Sequence, residues 1–135
     1  MFRRPGHAYV YLIYGLHFCL NVSSEAPGTG GGVLLRAAEP LLGLDLMRSR
    51  RPRSTDRDLL RGPGRLAAGL GITRADDGLD LTASDRLWLA RGTAPATLVC
   101  SVRIGITKAA ADELRFSEAG SPYVSGPAAK RPPSP

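Results

Sequence analysis

The sequence predicts an α+β fold: one domain with a curved, mainly antiparallel sheet, a protruding β-hairpin and flanking helices. Three observations predict it. The 135 residues match the usual size of one domain, about 100–150 residues. Strand signals dominate the start, helical apolar spacing follows, and β-branched runs return later. That order lacks the regular alternation of βαβ units, and no internal repeat is visible.

Residues Ala8 to Val22, AYVYLIYGLHFCLNV, are rich in aromatic and β-branched side chains, which favour strands. Fifteen residues is long for one strand, and Gly15 lies in the middle. The segment therefore reads as a hairpin, out over Ala8–Ile13 and back over Phe18–Val22, with a tip at Tyr14-Gly15-Leu16-His17. SSEAPGTGGG (Ser23–Gly32) is a flexible loop. Val33–Ala38 reads as a further strand in a central position. Glu39-Pro40 starts a helix, with proline early, where its missing N–H does no harm. Leu41, Leu42, Leu44 and Met47 give that helix an apolar face ending near Arg48–Arg51. A second helix runs from Pro63 to Leu70 and is capped by Gly71. Asp76-Asp77-Gly78 is a turn. Arg86–Ala90 and Thr97–Ile106 read as strands, Lys108–Leu114 as a short helix, and Phe116–Ser125 as turns with one more short strand. Residues 1–125 form the domain, and the tail 126–135, GPAAKRPPSP, reads as disordered.

Composition narrows the class. Hydrophobic residues make up 43% and the net charge is +6, so the chain is globular rather than disordered. No apolar run reaches the ~18 residues of a membrane span. The basic start is followed by an apolar stretch broken by Pro5, Gly6 and His7, which argues against a signal peptide. Cys19 and Cys100 form no metal pattern and are too few for a disulfide framework, so a reducing, intracellular compartment is expected. Collagen, coiled coil, disulfide mini-protein and membrane protein are excluded. Sixteen of the eighteen basic residues are Arg. Genome composition is one cause of such a bias; phosphate and base recognition, for which the guanidinium is suited, is another. The positive charge favours a polyanionic partner. The densest stretch, Arg48–Arg65, holds seven Arg against Asp56 and Asp58.

Five of the eight aromatic residues lie in the first eighteen positions: Phe2, Tyr9, Tyr11, Tyr14 and Phe18. Strand alternation puts Tyr9, Tyr11 and Ile13 on one face and Val10, Leu12 and Tyr14 on the other. Aromatic rings on a basic protein can stack on unpaired bases, at ~1–3 kcal/mol per base. They can also form cross-strand core pairs, and the pattern alone leans that way.

The string GHAYVYLIYGLHFCLNV (Gly6–Val22) resembles the 3-methyladenine (alkyladenine) DNA glycosylases of the mammalian type. The resemblance continues through GVLLRAAEPLLGLDLMR (Gly32–Arg48), GPGRLAAGLGI (Gly62–Ile72), VRIGI (Val102–Ile106), LRF (Leu114–Phe116) and GSPYVS (Gly120–Ser125). It implies a monofunctional base-excision repair enzyme that acts on double-stranded DNA containing an alkylated or deaminated purine. Such an enzyme flips the damaged nucleotide out of the stack and hydrolyses its N-glycosidic bond with water, as a monomer and away from membranes. No metal or organic cofactor is implied. The location would be cytoplasmic or nucleoid-associated in a bacterium and nuclear in a eukaryote.

Residue by residue, Tyr14 matches the tyrosine at a hairpin tip that fills the hole left by the flipped base, offsetting part of the unstacking cost. Leu16 and His17, beside it, are candidate DNA contacts; His17 matches no catalytic position. Tyr11 matches a pocket tyrosine that stacks on the base, which favours a cationic alkylated ring. Asn21 matches an asparagine that rejects the exocyclic amino group of guanine; the alternative is a strand-end cap. Arg36 and the backbone carbonyl of Ile104 match positions that hold the attacking water, although Arg36 could instead pair with a buried acid. Arg65 matches a basic position facing the DNA backbone at a helix start, or is a solvated surface charge.

The family also carries a portion ahead of the Met-Phe that is Met1-Phe2 here. The resemblance places the catalytic glutamate, a second aromatic and a histidine in it. The expectation is therefore an N-terminally truncated, C-terminal part of the domain. Either the reading frame begins further upstream, the favoured explanation, or the gene is shortened. Without that glutamate the chain would lack the ~10²–10⁴-fold that a general base supplies, since Glu25 lies in a Gly/Ser-rich loop and Glu39 at a helix start. The alternative function is a non-catalytic DNA-binding remnant of the same family. An unstable fragment and an unrelated RNA-binding domain are the weaker rivals.

Overall fold

The aromatic, β-branched start folds as a hairpin. In the computed structural model, which describes residues 1–127, β1 (Ala8–Ile13) pairs antiparallel with β2 (His17–Ser23), from Ala8 opposite Val22 to Ile13 opposite His17. The Leu16 N–H donates to the Ile13 carbonyl at 3.0 Å, closing the tip. Tyr14 and Gly15 both take positive φ, 52° and 67°, the handedness that matches strand twist in a tight hairpin. β1 has the expected limits, whereas β2 is one residue longer at each end than the expected Phe18–Val22, because His17, placed in the tip by the sequence, pairs with Ile13.

Beyond the Gly-rich loop, β3 (Gly32–Leu34) pairs with Asn21–Ser23, giving the sheet order β1-β2-β3. The expected strand Val33–Ala38 is thus shorter, and it is an edge rather than a centre. β2 takes the centre because the hairpin occupies its other side. Past Leu34 the ladder is reduced to one Leu35 N–H to Leu20 carbonyl bond and an Ala37–Arg61 bridge. The outer edge of β1 is covered by the chain around Asp77–Leu79. The Gly78 N–H donates to Ala8, the Ala8 N–H to Leu79, and the Val10 N–H to the Asp77 carboxylate at 2.8 Å. A covered edge cannot template aggregation.

Helix α1 spans Leu44–Arg50, later than the expected start at Glu39-Pro40. Proline disfavours helical geometry at the residue before it, and Gly43 adopts φ 74° immediately ahead of the helix. Leu41 and Leu42 therefore stay outside it and exposed, and Met47 carries the buried contact. Helix α2 (Pro63–Leu70) has the expected limits, with proline in its first turn. Gly71 ends it at φ 71°, and the Gly71 and Ile72 N–H groups return to Ala68 and Ala67, a Schellman closure that carries Ile72 into the core. That core is Ala8, Val10 and Leu20 of the sheet against Leu66 and Ala67 of α2, with Ile72 and Leu81. Met47, Leu59 and Leu60 form a second, smaller cluster.

The second half departs furthest from expectation. Arg86–Ala90 forms no strand; the Arg86 side chain reaches back to the buried Asp76 at 2.6 Å, and that tie sets the path of the loop. Thr97–Ile106 is paired only over β4 (Leu98–Ser101), against β5 (Arg115–Glu118). Lys108–Leu114 makes turns instead of a helix, with Ala109 at φ 51°. Among the described residues the result is α+β, with antiparallel sheets of three and two strands and two α-helices. Of the expected tail, Gly126 and Pro127 are placed and the rest lies outside the described residues. Among the described residues no helix is long and apolar enough to cross a membrane.

Candidate nucleic-acid interface

Strand parity builds the site. Ala8, Val10, Phe18, Leu20 and Val22 pack toward α2. Alternation then turns Tyr9, Tyr11, Cys19, Asn21 and Leu34 to the opposite face, where the register sets Tyr9 opposite Asn21 and Tyr11 opposite Cys19. Tyr9 and Tyr11 stack, centroids 5.5 Å apart. Burial, with the Cys19 thiol beside it, raises the pKa of the Tyr11 hydroxyl. The phenol is neutral at physiological pH and presents an uncharged ring. Asn21 is buried, and its amide nitrogen donates to the Tyr9 carbonyl at 3.2 Å. It sits within β2, paired on both sides, so it is no strand-end cap.

Leu35 points into the core, which returns Arg36 to the side of Tyr11 and Cys19. Burial raises the Cys19 thiol pKa, while the Tyr11 hydroxyl and the Arg36 charge act to lower it. Arg36 Nε is buried and has no hydrogen-bond partner. No carboxylate lies within 4.0 Å of its guanidinium among the described residues, so the pairing with a buried acid is not found.

Arg36 opens into a cleft of about 460 Å³ whose other walls include Arg61, Pro63, Arg65, Ser125 and Gly126. A second cleft of about 380 Å³ shares Gly62, Pro63 and Arg65 and adds His17, Arg51 and Gly64. Both meet at the start of α2, where Gly64 lets the hairpin approach. A Cβ there would lie 3.1 Å from Cβ of His17. Asp58 approaches both Arg61 (3.4 Å) and Arg65 (3.5 Å). One carboxylate shared by two guanidinium groups leaves the clefts electropositive. Burial, and then the neighbouring Arg65 charge, lowers the pKa of Arg51, whose Nη1 donates to the Asp58 and Leu59 carbonyls.

The basic stretch Arg48–Arg65 is thus divided in its work. Arg48 is bound by Asp45 and Asp56, Arg50 by the Gly69 carbonyl and Arg57 by the Pro122 carbonyl. Only Arg51, Arg61 and Arg65 of this stretch line the clefts. Arg65 keeps half of its side-chain surface. Tyr14, 88% exposed, stands at the hairpin tip beside exposed Leu16, three residues from the cleft-lining His17. Neither Tyr14 nor Tyr11 is a core pair. Ile104 does not line the Arg36 cleft itself; its Cδ1 lies 2.9 Å from where a Cβ of Gly126 would stand. Arg51, Arg61, Ser125 and Gly126 were missed from the sequence as cleft walls. The charge run held a signal for the two arginines, but none existed for Ser125, which arrives through a long-range return of the chain. Among the described residues no group of three or more His, Cys, Asp or Glu is placed to hold a metal ion.

The methylpurine-DNA glycosylase (MPG) family model matches residues 1–122. The chain belongs to that family. It is 57% identical over 128 residues to a protein of Mesorhizobium japonicum named "Putative 3-methyladenine DNA glycosylase", covering 94% of this chain and 62% of that one. It is 47% identical over 141 residues to the "DNA-3-methyladenine glycosylase" of Mus musculus, covering 93% and 42%. It is 44% identical over 129 residues to a protein of Methanocella arvoryzae with the same name as the first, covering 93% and 64%. The chain therefore spans about three fifths of the length of the first of these relatives.

Proposed function

We propose that this chain carries the DNA-gripping and base-reading part of a base-excision DNA glycosylase that acts on flipped, alkylated or deaminated purines in duplex DNA. The observation that carries the reading is Tyr14. A bulky side chain at positive φ is strained, and one that is 88% exposed gains nothing from burial in return. Its gain lies outside the folded chain, in the gap that a flipped base leaves. Three residues on, His17 borders the cleft of Arg51 and Arg65, which with the adjoining Arg61 take phosphates while Tyr14 enters the duplex.

Tyr11, held flat by Tyr9, offers a π-face to the extruded base. Asn21 is fixed by its bond to the Tyr9 carbonyl, and a fixed polar group rejects a misplaced exocyclic amino group more sharply than a mobile one. Arg36, which lines the cleft, holds the water through the part of its guanidinium that faces it, with the Ile104 carbonyl as its second support. Among the described residues no carboxylate lines the Arg36 cleft, so proton removal from that water needs a general base from outside this wall. The same fact favours a second reading, a chain that binds DNA without cutting it. A DNA-repair role places the protein inside the cell, with duplex DNA as its partner.

The test is this chain with duplexes containing ethenoadenine, hypoxanthine or only normal bases. Lesion-dependent binding is expected, with Tyr14→Ala and Tyr11→Ala reducing the preference for the lesion by about tenfold or more, the scale of one lost base stack. Base release with the same lesions separates the enzyme from the binding remnant. Identical affinity for damaged and undamaged duplex, unchanged in both variants, overturns the reading.

A further inference from the structure

We infer that residues 122–127 form a strap set in place by Arg57, Arg61 and Arg115, and that these three act as positioning residues for the Arg36 cleft. The strap has no strand or helix of its own, so its carbonyls depend on outside donors. Guanidinium groups supply them. Arg57 Nε donates to Pro122 at 3.0 Å, Arg61 Nε to Val124 at 2.9 Å, and Arg115 Nη2 to Ser125 at 2.7 Å and Pro127 at 3.3 Å. The three donors come from the turn before α2, from the residue preceding Gly62 and from β5, so they triangulate the segment.

Arg115 is committed to this task. It is only 6% exposed, and no carboxylate lies within 4.0 Å of it among the described residues. Burying such a charge is costly unless its N–H groups are hydrogen-bonded, and its three side-chain bonds go to Ser125, Pro127 and the Ser101 hydroxyl across the β4–β5 pair. What the strap holds is the cleft wall. Ser125 and Gly126 border Arg36, and Gly126, at φ 78°, has Ile104 Cδ1 where a Cβ would meet it at 2.9 Å. The strap is therefore the piece of backbone that joins the Ile104 loop to Arg36, the two proposed supports of the water. The positioning role rests on the proposed function above; the strap itself does not.

Two readouts separate them. Chymotrypsin cuts after Tyr123 once the strap is free, and Arg115→Gln should speed that cut by about tenfold, the factor implied by losing one charge-assisted hydrogen bond. Arg115→Lys, which keeps the charge but not the fork, should recover part of it. In parallel, binding to ethenoadenine duplex should weaken while binding to undamaged duplex, set by Arg51 and Arg65, stays within a factor of about two. An unchanged cut at Tyr123 overturns the strap. A faster cut with unchanged lesion preference overturns the positioning role. If the wild-type chain shows no lesion preference, the proposed function and the positioning role both fall, and the cut still decides the strap. Should Arg115→Gln not fold, Arg57→Gln, on an exposed side chain, must give the same acceleration of the cut.

Discussion

The three-stranded and the two-stranded sheets are both antiparallel, and they differ in what covers them. α2 seals one face of the first, so that Val10, Leu20 and Leu66 are almost wholly inaccessible. In the second, Leu98 and Phe116 remain more than half exposed, and burial is limited to Val99 and the guanidinium of Arg115. The first sheet can devote its free face to a ligand because its other face already carries the hydrophobic stabilisation. The second is held by hydrogen bonds from arginines, which fix geometry more than they add stability. One half is packed as a scaffold and the other half is tied in place by polar contacts.

Deleting core volume breaks that contrast most directly. Leu66→Ala, at the contact of α2 with the first sheet, should lower stability by about 2–5 kcal/mol. Phe116→Ala, on the exposed face of β5, should change it by no more than about 0.5 kcal/mol. Denaturant melts followed by circular dichroism read both. Equal losses at the two positions would mean that the β4–β5 half is as much core as the first sheet.

The same contrast explains what was legible in the sequence. α2 was readable to the residue and the hairpin to within one residue because local signals agree there: aromatic alternation around Tyr14-Gly15, and proline and glycine at the two ends of Pro63–Leu70. The resemblance supplied the candidate roles of Tyr11, Asn21 and Arg36, and strand parity places those residues on one face. Arg86–Ala90 and Lys108–Leu114 misled because their course is set by partners far away in sequence. Asp76 pulls Arg86 into an irregular path, and Ala109 at φ 51° stops any helix there. The Glu39 helix start failed for a local reason that was visible, Gly43 placed ahead of Leu44. Ser125 and Gly126 are held at the Arg36 cleft by guanidinium contacts spanning ten to sixty-five positions, and no local pattern encodes those.

Asp76 tests the tie that fixes the loop at Arg86. Burial pushes its carboxyl pKa up, but hydrogen bonds from Arg86 and Thr73 together outweigh that and hold it below the usual carboxylate range. A lowered folded-state pKa means that the stabilisation is complete above the unfolded value of about 3.9 and is lost as pH falls through the folded value. Asp76→Asn should cost about 1–3 kcal/mol at pH 7 by leaving buried polar groups unpaired, and the cost should shrink in melts below pH 4. A pH-independent cost would place the effect in packing instead of charge.

Tyr14 should show opposite signs for fold and ligand. Tyr14→Gly relieves left-handed backbone strain and removes no burial, and after the entropy that glycine adds to the unfolded chain thermal melts should show a net gain of about 0.5 kcal/mol. Titration with ethenoadenine duplex should show weaker binding in the same variant. A loss of stability would return Tyr14 to the scaffold side of the comparison.

The smallest effect on the fold belongs to Arg65. Its bond to Asp58 is 3.5 Å long and half-exposed, so Arg65→Gln should leave stability within about 0.5 kcal/mol. What should change is the salt dependence of duplex binding, because each phosphate contact releases condensed counterions. The slope of log affinity against log salt should flatten by about one unit, and equally for damaged and undamaged duplex. Tyr11→Ala should do the reverse, lowering the lesion preference and leaving the slope alone. If both variants changed slope and preference together, backbone grip and base reading would be one coupled surface, and the division between arginine clefts and aromatic face would have to be abandoned.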